Sequence, residues 1–214
     1  MRIKNKKYFI PAIIVIAGGL AVGTARLLEV PPFEQVGTID ASDICEGLGS
    51  SDSRVQALKN VLPEQTEYSF GSLYSEARID QSDSSYTSRC SVRGEGSVLL
   101  YTNAELMRDE PVDSWASSTI ADRQADYPGD FDDFAAGKGG VVSSHKAAIL
   151  LPCVSAGRIP GGEYSISVSV TLNQQSENSV TTAKEALKDL VLSTAEFVHK
   201  DARCDLPSRL PESL

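Results

Sequence analysis

Residues 163–173 read EYSISVSVTLN, and this stretch constrains the fold more than any other in the chain. Tyr164, Ile166, Val168, Val170 and Leu172 fall on one face of a strand, while Ser165, Ser167, Ser169 and Thr171 fall on the other. Such a strand belongs to an antiparallel sheet with one buried face and its serine face toward water. The buried face needs a cover, and the chain supplies one at once. In SVTTAKEALKDLVLSTAEFVHK, residues Ala183, Leu187, Leu190, Val191, Thr194 and Val198 make one helical stripe, with Ser179 or Thr181 as the cap. The expected fold is α+β: an antiparallel sheet of about five strands packed against a long C-terminal helix.

Upstream elements fit that plan. SDSRVQALKNVLP predicts a helix, with Val55, Leu58, Val61 and Leu62 at helical spacing and Pro63 as its stop. TEYSFGSLYSEARI, YTSRCSV and SVLLYTN predict a meander of three strands separated by DQSDSS and GEG. Residues 104–139 read poorly, with a short helix expected from Trp115 to Asp126. VVSSHKAAILLPC is expected as one strand, buried on both faces over the apolar run Ala147–Leu151. The halves run helix then strands and strands then helix, so they are no internal repeat.

The N-terminus sets the compartment. Arg2, Lys4, Lys6 and Lys7 precede an uncharged run of 18 residues, Tyr8 to Ala25, which Arg26 ends. At ~1.5 Å per residue a helix of that length reaches about 27 Å, close to the ~30 Å of a hydrocarbon core. The expectation is a basic cytoplasmic tip at 1–7, a signal-anchor helix at 8–25 and a tether at 26–42. An extracytoplasmic domain at 43–205 and a loose, Pro-rich tail at 206–214 complete the layout. The alternative is a secreted chain cut after Ala25, where Gly23 and Ala25 are suitably small. Both readings put the domain outside. The chain has net charge −9, and its first 26 residues hold five basic side chains and no acid, so the remainder carries −14. That charge repels phosphate backbones and excludes nucleic acid as a partner.

Cys45, Cys90, Cys153 and Cys204 all follow the apolar run, and an even set in an exported chain reads as disulfides. Four cysteines allow three pairings. Cys45–Cys90 with Cys153–Cys204 is preferred, because neither loop then nests in the other. There is no C-x-x-C for redox chemistry and no Cys/His spacing for zinc. Asp130, Asp132 and Asp133 lack the ligand spacing of a calcium loop and read as a solvated acidic loop. No metal or cofactor is expected.

Histidine occurs twice. His145, in SSHK, lies within or beside a strand, where Ser144 would point to the opposite face. His199 lies near a helix C-terminus, where a cation would favour the dipole. No nucleophile elbow, P-loop or dinucleotide fingerprint appears. The expectation is therefore no enzyme, but an interaction or sensing module of the cell envelope that binds a protein or wall component. The second reading is a small-molecule binder, with its ligand between sheet and helix near Trp115 and Tyr68, Tyr74 or Tyr164 lining the pocket. The third is a hydrolase using His145.

Cys45 in DICEGLG, Cys90 in SRCSV, the strand AAILLPC, the stretch YSISVSV and the helix up to Cys204 together carry a resemblance. They resemble exported proteins of unknown function from actinobacteria, notably streptomycete members, with a two-layer α+β ectodomain. The resemblance covers most of residues 43–205. It implies that Cys45 opens the first helix and pairs with Cys90 in a middle strand. It supplies no catalytic residues. This chain departs from the lipoproteins of that group by having no lipobox cysteine, and it lacks the tryptophan often found after the second cysteine, since Ser91 and Val92 follow Cys90.

Overall fold

The computed structural model describes residues 36–48, 52–124 and 131–211. The expected anchor at 8–25 lies outside the described residues, as does most of the tether. Among the described residues no helix is long and apolar enough to cross a membrane.

The chain forms an α+β fold. A 3-10 turn, Glu46–Leu48, precedes α1 (Asp52–Val61), and the strands β1 (Tyr68–Glu76), β2 (Thr87–Gly94) and β3 (Ser97–Arg108) follow. Next come α2 (Val112–Gln124), β4 (Asp132–Phe134), β5 (Gly139–Val142), β6 (Lys146–Ile159), β7 (Gly162–Leu172) and α3 (Val180–Asp201). Among the described residues seven strands make one sheet in the order β1-β2-β3-β7-β6-β5-β4, every neighbouring pair antiparallel. The expected five strands become seven for two reasons. VVSSHKAAILLPC is a hairpin, its turn at 143–145 separating β5 from β6, and Asp132–Phe134 adds a short edge strand. Asp132 reaches Lys184 of α3 at 2.7 Å, so this part of the acidic loop is a paired strand; Asp130 lies outside the described residues.

Side-chain parity divides the sheet. Val92, Leu100, Ala104, Ile149, Leu151, Ile166, Val168 and Val170 face the main core with Leu187, Leu190, Val191 and Val198 of α3. Leu58 and Val61 of α1 join the same core, so two helices cover this face. Each such aliphatic side chain contributes roughly 1.5–3 kcal/mol on full burial. The opposite face carries a smaller cluster of Trp115, Val141, Ala148 and Leu150, under α2. The serine face of β7 is thus not open water throughout: Ser165 and Thr171 are buried, and α2 roofs part of the rest.

The two disulfides are Cys45–Cys90 and Cys153–Cys204, the preferred pairing. The second sits where β6 changes character. Pro152 cannot donate to a ladder, and the register with β7 shifts between Pro152 and Val154. The backbone amides of Asp205 and Leu206 donate to the Cys153 carbonyl. Gly137 N donates to the Arg209 carbonyl, and Leu210 packs on the core. Residues 206–211 are therefore docked, against the expectation of a loose tail. At the other end Ile39, placed in the tether, is already buried in the core.

Candidate functional site

Among the described residues, the part of the sheet that no helix fills is the α2 side of β1, β2, β3 and β7. Register builds this surface row by row. Ser91, Tyr101, Thr171 and Lys146 pair across the sheet in one row, Arg89, Asn103, Ser169 and Ala148 in the next, and Thr87, Glu105, Ser167 and Leu150 in the third. Helix α2 stands over the β6 side and makes a wall. Pro111 opens it, its carbonyl accepting from Ser114 N and Trp115 N, in keeping with the preference for proline at a helix start. Trp115 is 2% exposed and its indole Nε1 donates to Ser167 Oγ at 2.8 Å, which fixes the helix to the serine row.

Two cavities result. One, of about 360 Å³, lies beneath α2 between Trp115, Met107, Glu105 and Ser167. The other, of about 330 Å³, lies toward β1 between Leu73, Arg89, Tyr101 and Thr171. Asn103, Lys146 and Ser169 line both, so the cavities join into one groove. Its floor is a ladder of hydroxyls. Of its charged residues, Arg89 lines the cavity toward β1, Glu105 and Glu110 line the one beneath α2, and Lys146 lines both.

Lys146 is 7% exposed, and its Nζ donates to the Thr119 carbonyl of α2 at 2.9 Å. Arg89 is exposed, and its Nε donates to Asn103 Oδ1 at 2.6 Å. Thr171 is 1% exposed, and its Oγ1 has no hydrogen-bond partner among the described residues. A buried hydroxyl left unsatisfied costs roughly 1–3 kcal/mol, and this one lies buried in a residue that lines the groove.

Of the aromatic candidates, Trp115 does not converge with Tyr68 and Tyr164. Trp115 belongs to the α2 face. Tyr68 and Tyr164 pack against the core on the α3 face, the Tyr68 hydroxyl donating to the Pro63 carbonyl at 2.8 Å and that of Tyr164 to the Pro160 carbonyl at 3.1 Å. Tyr74 pairs with Arg89 on edge strand β1, beside a register shift. Trp115 and the cavity beside it lie between the sheet and α2, on the face opposite the long C-terminal helix. The groove residues Arg89, Asn103, Lys146 and Thr171 escaped sequence reading. Parity in SVLLYTNAEL places Tyr101, Asn103 and Glu105 on one face, and the lysine opening an apolar strand was the available signal.

His145 lies in the β5–β6 turn. Its Nδ1 is 2.9 Å from Ser144 Oγ, so the neighbours do meet, because a turn does not alternate as a strand does. Ser143 Oγ accepts from the amides of His145 and Lys146, which makes a side-chain-capped turn. Neither Ser144 nor His145 lines the groove. Burial lowers the pKa of His145, favouring the neutral ring. His199 is likewise held below its ordinary value by burial, against the pull of the Leu206 and Pro152 carbonyls, and its Nε2 donates to Leu206 at 2.9 Å. Burial favours its neutral ring, and its bond to the Leu206 carbonyl docks the tail on the helix.

Elsewhere Asp109 accepts from Lys138 and from Ser165; burial raises its pKa, and these two bonds outweigh it, leaving the group below its usual range. Among the described residues no three His, Cys, Asp or Glu side chains are grouped to hold a metal. The chain matches no protein-family model, no curated protein and no solved structure.

Proposed function

We propose that this protein is a non-catalytic, extracytoplasmic binding protein for a small polar ligand. Its site is the groove between α2 and the β1–β3 side of the sheet. The observation that carries the reading is the groove itself: an unfilled sheet face with a hydroxyl floor, an aromatic wall at Trp115, and buried Lys146 where its two halves meet. Binding sites commonly combine such concavity with a few placed polar groups. The two disulfides fit an oxidising compartment outside the cytoplasm. The apolar run 8–25 would hold the domain at the outer face of the membrane, with the basic tip inside.

A screen of polar metabolites against the full chain in detergent, read by thermal shift and then by hydrogen exchange, tests the site. Stabilising compounds are expected to protect α2 and β3. Protection confined to α1 or α3 would overturn it.

Edge strand β1 favours a second reading, a module that engages a protein partner by strand addition. Tyr68 to Ser75 carry no charge, Leu73 is 52% exposed, and unguarded edges invite pairing. Replacing Ser75, an exposed β1 residue that lines neither cavity, with Lys should abolish capture of such a partner in a pull-down.

A further inference from the structure

The cavity toward β1 has a charge of its own. Arg89 and Lys146 line it and no carboxylate does, in a chain of net charge −9. Register lays out its floor. Tyr101 pairs with Thr171 in one row and Asn103 with Ser169 in the next, and alternation turns all four side chains to the α2 side. Neighbours in such a block lie about 5 Å apart across the strands and about 7 Å apart along them, the footprint of one small functional group.

Arg89 reaches onto this block from β2. Its Nε donates to Asn103 Oδ1 at 2.6 Å, which fixes where the guanidinium lies. Among the described residues its two terminal nitrogens donate to nothing, and no ion pair joins it to Glu105, which stands one row further on and lines the other cavity. Lys146 adds positive charge from the β6 side, while its Nζ stays on the Thr119 carbonyl. Thr171 carries a buried Oγ1 with no partner among the described residues, a hydrogen-bonding capacity the protein leaves unfilled. On the β1 side the cavity is bounded by Leu73, an aliphatic side chain 52% exposed to water.

Resting on the binding reading above, we infer that this cavity takes a small monocarboxylate with a short apolar body. The carboxylate meets the terminal nitrogens of Arg89 beside Asn103 and Ser169, and the apolar body covers Leu73 and the ring of Tyr101. The two N–H groups of the guanidinium edge match the two oxygens of a planar carboxylate. One guanidinium free to bond balances one negative charge, so a phosphate dianion would be left part unpaired. The Ser169 hydroxyl has a further proton to give. Covering Leu73 takes its exposed apolar surface out of water.

Titration calorimetry of the full chain in a neutral detergent, with benzoate as the probe, tests this. Benzoate is expected to bind. Benzamide, which keeps the shape and loses the charge, is expected to bind the parent protein roughly tenfold more weakly or worse. Arg89→Gln, at an exposed position, is expected to weaken benzoate by a similar factor. Inorganic phosphate is expected to bind less tightly than benzoate.

Equal affinity for benzamide and benzoate would overturn the inference, as would full benzoate affinity in Arg89→Gln. Phosphate binding more tightly than benzoate would overturn the carboxylate assignment. If benzoate fails but another compound protects α2 and β3 from exchange, the carboxylate inference falls and the binding reading survives. If nothing protects the groove, both fall.

Discussion

Trp115 shows how much one side chain can settle. Its ring nucleates the minor core with Val141, Ala148 and Leu150, and its indole N–H is spent on Ser167. Trp115→Phe keeps the ring and loses the donor, so unfolding in urea should register a loss of about 1 kcal/mol, while Trp115→Ala should cost about 3–5 kcal/mol. His199 supplies a pH response. Burial holds its pKa below that of the unfolded chain, about 6.5, so the unfolded state takes up its proton first as pH falls. Stability is therefore full above about pH 6.5 and is lost as pH drops through the folded value. His145 moves in the same sense. Denaturation midpoints at pH 7.5 and 5.5 should differ less for His199→Gln than for the parent. The identities of Trp115 and His145 were plain in the sequence. Their surroundings were not, because side-chain partners across a sheet come from residues tens of positions away.

Among elements, α3 was the most legible, since a long apolar stripe at helical period has one reading. Ser179 caps it, accepting from Thr182 N. Ser179→Ala should cost about 1 kcal/mol by chemical denaturation, with little change at the far end of the helix, where Cys204 and the docked tail hold it. Helix α2 was hard to read for the opposite reason. VDSWASSTIADRQ is polar all round except near Trp115, and it is held by that residue and by Lys146 reaching its Thr119 carbonyl. Strands β5 and β6 merged in the sequence because VVSSHKAAILL has no glycine or proline to mark its turn. Ser143 makes the turn with its own hydroxyl. The β6–β7 connection is a glycine turn, in which Gly161 and Gly162 take φ of 108° and 116°, where only glycine is unstrained.

At the scale of the molecule, the bridges close loops of 45 and 51 residues. The chain-entropy model gives each roughly 4 kcal/mol, and reduction with alanine replacement of either pair should lower the urea midpoint by a corresponding amount. The Cys153–Cys204 pair should also release the tail, seen as faster exchange at Asp205 and Leu206, whose amides meet the Cys153 carbonyl. The amino-acid sequence by itself determined the α+β class, the alternating β7, the long C-terminal helix, and cysteines placed after an apolar run. These are local in origin: period, capping and charge act over neighbouring residues. Tertiary structure alone decided the strand order, the number of strands, the docking of α2 on the serine face, and the groove that this docking leaves open. Those depend on which strands become neighbours. Register, not sequence proximity, brings Arg89, Asn103, Lys146 and Thr171 onto one surface.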